Sequence, residues 1–432
     1  MKNWIVFTMF SGLSMAFQAQ TMRAEEAVAE ALKNNFDIQM AGISRDIAAS
    51  AATHGVAGQM PTVTLNGGAT YQNSNIRQEF SNGLEVVRNG VNANVLNSSL
   101  NVSWMLFQGR RVYYAYNRLK QEAAGGEIVY RQAIEQTVFN VLTAYYRTVQ
   151  IQQELRARKS ALETAELQVS LARRRLEIGS GDRVQLLQTE IGRNRLQSAV
   201  IQQTLSLEQQ KAELNRLMQR APESPIEVSE TFDFNPELSW ASLQEEADRE
   251  NLSLLFSRNR EGVQRSLLSE RKSLRSPGLL FNGAYTLNRN QSDGGFALFN
   301  FGQGPSLGLA LSWNLYDGKR IQQQIYSDRR LLEQQEVFTK QIQQNTRVQL
   351  WSAWRAYTTA KALLELEASN LRSASENLSL ANERFRLGNS GILELKDAQL
   401  SLDQAISAEA TAAFTLKQAE LELQRLAGKL GR

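Results

Sequence analysis

Few residues of this 432-residue chain are of a type and spacing that could do chemistry. The clearest pair is Glu394 and Asp397, in the stretch GNSGILELKDAQ, whose i, i+3 spacing places both carboxylates on one face of a helix. Such a pair can attract cations, or it can complement the positive end of the helix dipole. The residues alone leave both interpretations open.

The constellations that enzymes use are missing from the sequence. His54 is the single histidine and there is no cysteine, which excludes thiol catalysis and leaves no set of ligands for a zinc site. The sequence contains neither a Gly-rich phosphate loop after a strand nor a G-x-S-x-G elbow. With 48 basic and 44 acidic residues, the charge gives a nucleic-acid partner little support. We therefore expect no enzyme, no cofactor and no metal site.

The first twenty residues are typical of a secretory signal. Lys2 precedes an apolar run from Trp4 to Phe17, and small residues follow, which predicts cleavage somewhere from Ala16 to Gln20. The run is shorter than the roughly 20 residues that a membrane-spanning helix needs. The exported chain is therefore either soluble or enters a membrane through β-structure, whose sequence signal is weaker per segment.

The chain is a tandem repeat. Four segments recur later in the chain in the same order: MPTVTLNGGATY matches SPGLLFNGAYTL, WMLFQGRR matches WNLYDGKR, LARRRLEIGSG matches LANERFRLGNSG, and ELNRL matches ELQRL. Four ordered matches indicate duplication of one large unit. We divide the mature chain into a first repeat over 21–219, a linker over 220–238 and a second repeat over 239–432.

Each repeat is predicted to contain a long helical hairpin. All six prolines lie outside the segments 110–219 and 319–430, and proline costs about 3 kcal/mol inside a helix. Glycines interrupt both segments at Gly179, Gly181 and Gly388, where a helix can stop and turn back. The sequence therefore predicts an αα-hairpin in each repeat.

Alternating segments precede each hairpin and predict strands with one apolar and one polar face. They cover 61–72, 98–107, 277–288 and 305–316, with loops expected over 73–97 and 289–304. Each is long enough to cross a bilayer when tilted, which takes about 10 residues. Four strands leave open edges that cannot face lipid, so the sheet is expected to close with other copies of the chain.

With these motifs in register over almost the whole mature chain, the sequence resembles the TolC-like outer membrane efflux family. The resemblance implies an α+β membrane protein that trimerises into a 12-stranded β-barrel continued by an α-helical periplasmic tunnel. It also implies the outer membrane of a Gram-negative bacterium, a periplasmic adaptor (membrane fusion) protein and an inner membrane transporter as partners, and contact with outer membrane lipid.

The resemblance also suggests roles for particular residues. Glu394, Asp397 and Phe385 match the family's channel gate, while the first repeat has Gln185 and Gln188 at the equivalent tip positions. Arg183 or Arg386 is a candidate for pairing between hairpins in a closed state. The tips are candidates for adaptor docking through Gly179, Gly181, Leu186, Leu387 and Gly388.

The repeated tryptophan junctions predict the edge of the membrane. Trp104 and Trp313 are expected to end strands on the lipid-facing side, where indole rings favour the interface. Phe107 and Tyr316 are expected on the opposite, lumenal face at the same boundary. Beyond each motif, the chain is expected to leave the sheet for the helical hairpin.

The function that follows is a passive exit duct of a tripartite efflux or secretion system, gated at its helical tip. Small-molecule efflux and type I protein secretion share this channel type, and the sequence does not separate them. A second class, a periplasmic coiled-coil scaffold without a pore, would not need four strands with apolar faces. Heat-modifiable outer membrane trimers would distinguish the duct from the scaffold.

Overall fold

The computed structural model describes residues 21–234, 238–294, 297–387 and 389–431. The expected signal over 1–20 lies outside the described residues, as does Gly388. Within the described ranges, no helix combines the length and the apolar character that crossing a bilayer requires.

The elements follow one another in the same order twice, as two helices, two strands and two long helices. They are α1 (Ala24–Asn34), α2 (Phe36–Ala51), β1 (Thr62–Glu79), β2 (Glu85–Gln108), α3 (Arg111–Glu177), α4 (Arg183–Leu217), α5 (Trp240–Glu250), α6 (Leu252–Ser273), β3 (Gly278–Ser292), β4 (Phe299–Ser312), α7 (Arg320–Arg386) and α8 (Ile392–Leu426). The expected fold class is confirmed: two long helical hairpins are combined with four strands in a tandem arrangement.

The four strands form one antiparallel sheet in the order β1-β2-β3-β4. The register aligns the apolar sets of all four strands. Leu65 lies opposite Leu100, Leu100 opposite Tyr285, and Tyr285 opposite Pro305. We call this side of the sheet the apolar face. The other side carries rows of small and polar residues, such as Asn66, Ser99, Thr286 and Gly304.

The strand ends differ from those expected. Much of 73–97 and 289–304 belongs to strands and not to loops, because backbone pairing continues where polar side chains break the alternation. At the other end, β4 stops at Ser312 instead of continuing to 316. Its partner β3 begins at Gly278, which pairs with Ser312, so the following residues have no ladder partner.

The chain divides into two compact units. One contains the described residues up to Met40, together with 132–251 and 346–432. Its core packs α3, α4 and α8 against α1 and the linker, around the fully buried side chains of Val141, Tyr145 and Leu214. Burial of such side chains supplies about 1.5–3 kcal/mol each, so long helices of low overall hydropathy are still held together here.

Two buried asparagines end the hairpins in this unit in the same way. Asn35 donates its amide to the carbonyl of Leu217 at 3.2 Å, and Asn251 donates to that of Leu426 at 3.0 Å. These carbonyls belong to the last turns of α4 and α8, where helical carbonyls have no partner within the helix. The short helices α1 and α5 therefore precede residues that cap the long ones.

The other unit comprises 41–131 and 252–345, and it contains the sheet and the helix segments nearest to it in sequence. Ion pairs link those segments, with Arg118 bonded to Glu270 at 3.1 Å and Arg271 to Asp328 at 3.0 Å. Most of the apolar face is exposed in the single chain, with Leu65, Leu307 and Leu311 each more than two thirds accessible. An apolar surface of this extent indicates a partner or a membrane.

Candidate functional site

The first hairpin turns over residues 178–182, between α3 and α4. Gly179 has a φ of 75°, in the left-handed region that glycine adopts without strain. The amide of Ser180 donates to the carbonyl of Arg175 at 2.9 Å, which completes the C-terminal cap of α3. Asp182 then caps α4, because its carboxylate accepts from the amide of Val184 at 3.2 Å.

The predicted docking residue Gly181 lies close to the end of α3. A Cβ added there would lie 3.0 Å from the backbone of Arg175, a tight contact that would require the turn to shift slightly. The neighbouring Leu186 is half-buried, whereas Leu387 of the second turn is 62% exposed. Of these two predicted docking side chains, Leu387 is therefore the more accessible.

The second hairpin turns between α7 and α8. The amide of Asn389 donates to the carbonyl of Arg384 at 2.9 Å, the counterpart of the bond from Ser180 to Arg175. Gly391 occupies the N-cap position of α8 in an extended conformation and offers no side chain to cap it. Glu394 lies in the first turn of α8, where a negative charge complements the helix dipole.

Glu394 is paired with a residue that the sequence analysis did not identify. Its carboxylate lies 2.6 Å from the guanidinium of Arg384, so the pair joins α8 to α7 directly beside the turn. Asp397 is exposed one helical turn further on, while the intervening Leu395 and the next residue, Ala398, are buried. The two acids therefore lie on the exposed side of α8, but among the described residues of the tip only Glu394 has a cationic partner.

Phe385 connects the second hairpin to the first. The guanidinium of Arg175 lies over its ring, 5.0 Å from the centroid, in a cation–π contact. Gln185 and Phe385 also line one small cavity of about 10 Å³, which holds at most a water molecule. This site is therefore a packed contact between hairpins rather than a ligand pocket.

The repeat explains the roles of these arginines. Arg175 and Arg384 hold equivalent positions, as do Gln185 and Glu394. In the second hairpin the arginine pairs with a carboxylate, whereas Arg175 has a glutamine opposite and lies on Phe385 instead. The first hairpin forms its own ion pair further from its turn, between Arg173 and Glu190 at 3.2 Å.

The other predicted tip residues lie at the surface. Gln188 is exposed, and so is Arg183. Arg386 pairs with Glu383 of its own helix at 3.4 Å, and the pairing of Arg183 or Arg386 between hairpins in a closed state stays a prediction. In this structure Arg175 makes a contact between hairpins. The sequence carried one signal for this contact. Arg175 matches Arg384 in the repeat, but a glutamine stands opposite Arg175 where the second repeat has a glutamate opposite Arg384.

Both tryptophan junctions make the same hydrogen bond. The indole nitrogen of Trp104 donates to the carbonyl of Gln59 at 2.7 Å, and that of Trp313 donates to the carbonyl of Arg275 at 3.1 Å. Each accepting carbonyl lies just before the first strand of its repeat. The indoles therefore tie the end of a strand pair to its beginning.

The expected face of Phe107 is wrong. A β-bulge between Met105 and Phe107 shifts the register by one residue, so Phe107 lies opposite Leu279 and shares the apolar face with Trp104. Tyr316 follows the end of β4 and is 79% exposed, so it belongs to neither face. The sheet register or an indole hydrogen bond thus fixes the positions of three of the four predicted interface aromatics, Trp104, Phe107 and Trp313.

Burial alters the acidity of two carboxyl groups in α8. It raises the pKa of Asp403, against the opposing effect of Arg158, and it raises the pKa of Glu409. His54 stacks on Tyr116 with ring centroids 4.2 Å apart, which is a packing role. Within the described ranges, no group of three or more histidines and carboxylates is placed to hold a metal ion.

Comparison with known proteins identifies the family. The model of the outer membrane efflux protein family matches residues 27–219 and 238–429. The chain is 22% identical over 272 residues to the outer membrane efflux protein BepC of Brucella suis, covering 62% of this chain and 58% of that protein. It therefore spans less than two thirds of the length of that relative.

Solved structures share the fold at low sequence identity. The outer membrane protein VceC of Vibrio cholerae aligns with a TM-score of 0.77 and 17% identity over 94% of this chain and 96% of that one. The CmeC outer membrane channel of Campylobacter jejuni aligns with a TM-score of 0.77 and 16% identity over 94% and 85%. With both repeats matched by the family model, the chain belongs to the outer membrane efflux protein family.

Proposed function

We propose that this chain is the outer membrane exit duct of a tripartite export system. Three copies close their sheets into one 12-stranded barrel, and the helical hairpins form a tunnel in the periplasm. The duct is passive, and its opening at the hairpin tips is driven by a periplasmic adaptor and an inner membrane transporter. It carries cargo without chemical conversion.

The observation that carries this proposal is the sheet. Its apolar face is exposed, and its edge strands β1 and β4 each pair on one side only within the described part of the chain. A lipid-exposed edge would leave backbone groups without hydrogen bonds, which costs several kcal/mol per group. Closure with further copies satisfies both edges, and single-chain bacterial barrels begin at about 8 strands. A periplasmic scaffold without a pore would not need a sheet with an exposed apolar face.

The hairpin tips support the gating part of the proposal. Three copies of Glu394 and Asp397 would supply six carboxylates around a constriction, and such rings favour cations. Arg384 neutralises part of that charge by pairing with Glu394, so Asp397 contributes the less compensated charge. The exposed apolar Leu387 and Ile178 offer an adaptor a surface on each turn.

The assembly is tested in the outer membrane fraction. We expect the protein there as a trimer that resists detergent at room temperature and dissociates on boiling. As a matched test of the sheet edge, Leu307→Pro should prevent assembly, because the ladder turns the amide of Leu307 away from β3 and towards the strand that pairs with β4 in the trimer. Asn82→Pro in the distal turn between β1 and β2 should not prevent it. A soluble monomer would contradict the duct and leave the scaffold.

The gate is tested by conductance in planar bilayers. The double variant Glu394→Gln with Asp397→Asn should lower the ratio of cation to anion permeability several-fold, because it removes the carboxylates from each tip. Glu383→Gln is the control, since this exposed acid lies on α7 and pairs with Arg386. Selectivity that is equal in all three proteins would remove Glu394 and Asp397 from the gate.

A further inference from the structure

One arginine interrupts the apolar face. The strand register places 26 residues of the four strands on this face between Val63 and Leu311, and Arg289 is the single charged residue among them. Its neighbours in the same row are Leu96 on β2 and Phe301 on β4. A charge in that position needs a physical reason, because a lipid-facing cation at mid-membrane costs about 2–4 kcal/mol.

The height of Arg289 on the face supplies that reason. Leu279, at the row of the tryptophan junctions, and Arg289 are about ten residues apart on β3, which gives roughly 33 Å along the strand. A strand tilt of about 40° reduces this distance to about 25 Å, the height of the apolar band of outer membrane barrels. Arg289 therefore lies at the boundary opposite Trp104, where a long cationic side chain can reach the headgroups.

The rows beyond Arg289 confirm that the apolar face ends there. Four residues beyond the row of Arg289, Asn73, Asn92 and Asp293 form a hydrogen-bonded network, with Asn92 accepting from Tyr71 and donating to Asp293 at 3.0 Å. Below this network most side chains of the face are apolar. Tyr71 spans the two zones, as aromatic residues at a membrane boundary do.

The guanidinium of Arg289 lies in a shaped site. A shallow concavity of about 450 Å³ is lined by Tyr71, Asn94, Leu96 and Gln291 of this face, together with Ala69 and with Thr70 and Val95 of the intervening row. Phe299 supports the guanidinium from one side, with 5.8 Å between its ring centroid and the charge. Arg289 is exposed, and no ion pair to it occurs within the described residues. The site offers a fork of donors, two amides and apolar walls.

We propose that this concavity binds the phosphate group of a membrane lipid, with Arg289 as the phosphate ligand. A guanidinium matches a phosphate by two parallel charge-assisted hydrogen bonds. Asn94 and Gln291 offer further donors, and Leu96 and Phe301 contact the acyl chains below. Since three copies of the chain share the barrel, each trimer binds three such lipids. The proposal rests on the proposed function, because it requires the apolar face to lie in a membrane.

The test measures lipid binding by the full-length trimer in neutral detergent. The probes are lipid A with two phosphates, the same lipid with both phosphates removed, and inorganic phosphate. Native mass spectrometry counts bound lipids, and a titration gives the affinity. We expect up to three molecules of the phosphorylated lipid per wild-type trimer and about tenfold weaker binding to the dephosphorylated one.

The variants make the assignment specific to one side chain. Arg289→Gln should weaken binding of the phosphorylated lipid about tenfold, and Arg289→Lys should restore part of it, because a lysine keeps the charge but loses the fork. Arg88→Gln is the matched control, an exposed arginine on β2, and should change the affinity less than twofold. Equal affinities in all four proteins, or complete displacement by inorganic phosphate, would overturn the lipid site.

The outcomes separate this inference from the proposed function. If wild-type and Arg289→Gln proteins both form outer membrane trimers and bind lipid A alike, the lipid site is wrong and the duct stands. If the wild-type protein is a soluble monomer, the duct is wrong and the lipid site falls with it. A variant that assembles normally but loses lipid supports both.

Discussion

The two hairpins are copies of one ancestral unit, yet their tips are held in different ways. In the second, Arg384 and Glu394 close the hairpin on itself, and Asp397 adds a free negative charge. In the first, glutamines replace both acids, and Arg175 reaches out to Phe385 of the other hairpin. Where the second hairpin has an ion pair within itself, the first has a contact to the other hairpin. The difference shows how duplication can divide two tasks, carrying charge and joining neighbours.

The largest difference in stability between equivalent positions of the two hairpins is expected at their bases, just after α4 and α8 end. Gly428 and its repeat counterpart Gln219 both adopt left-handed backbone, with φ values of 70° and 60°. A Cβ at Gly428 would lie 2.5 Å from the carbonyl oxygen of Glu250. We expect Gly428→Gln to cost about 3 kcal/mol, from backbone strain and the displaced neighbour.

The reciprocal change, Gln219→Gly, is the control and should stabilise the protein by up to about 1 kcal/mol, because glycine adopts this conformation without strain. Both values come from thermal melts followed by helical circular dichroism. A Gly428→Gln protein as stable as the wild type would show that the two bases tolerate the same residues after all.

The next largest effect is expected when the tip of the first hairpin is made to resemble that of the second. Gln185→Glu supplies Arg175 with a carboxylate on its own hairpin, as Arg384 has in Glu394. The arginine should then leave Phe385, and a cation–π contact is worth about 0.5–1 kcal/mol at an exposed site. We expect amide hydrogen exchange near Phe385 to become about threefold faster, measured by mass spectrometry. Gln188→Glu, which adds the same charge at an exposed position, should leave that exchange unchanged.

The contact can also be removed from the other side. Phe385→Leu introduces the residue that the first repeat has at this position, Leu176, and it keeps apolar volume while deleting the ring. We expect a loss of about 0.5 kcal/mol in local stability, again read by hydrogen exchange. Combined with Gln185→Glu the effects should not add, because both changes delete one interaction. Additive effects would mean that Arg175 does not join the hairpins through this ring.

The smallest expected effect concerns pH. Burial raises the pKa of Asp403, whose repeat counterpart is the neutral Asn194. The folded state thus binds this proton more tightly than the unfolded state. The contribution of Asp403 to stability is present below its ordinary pKa of 3.8 and is lost as the pH rises through the raised value.

Asp403→Asn should therefore raise the melting temperature by on the order of 1–2 °C at pH 7. The gain should disappear at about pH 2.8, one pH unit below the ordinary pKa of 3.8, where the carboxyl group of the wild type is protonated in both states. The reverse change Asn194→Asp serves as the comparison and should destabilise the protein at pH 7. A gain that is the same at both pH values would contradict the role of burial.

Much of this fold was predictable because its signals are long and repeated. The proline-free segments predicted both hairpins, and the alternation predicted four strands with aligned apolar faces, since a period of two leaves few possible registers. The ends of the strands were not predictable in this way. Pairing between backbones continues through 73–79 and 85–97 without any demand on the side chains, and only the register reveals it.

The candidate site was predictable in part for a similar reason. Glu394 and Asp397 are visible from spacing, whereas the role of Arg175 depends on which side chains two separate hairpins bring together. The bulge before Phe107 was equally hidden, since one extra residue reverses the face without any signal in composition. Residue types thus predict what a position can do, and long-range packing decides which partner it meets.

The indole hydrogen bonds of Trp104 and Trp313 have a practical consequence for the insertions that each strand pair can accept. They close loops that span 45 residues in the first repeat and 38 in the second, and the geometry at the closing point is the same. Length added or removed within a loop therefore leaves its anchored base in place. The distal turn at 80–84 should therefore accept an inserted peptide, and in the proposed duct this peptide would be displayed outside the cell.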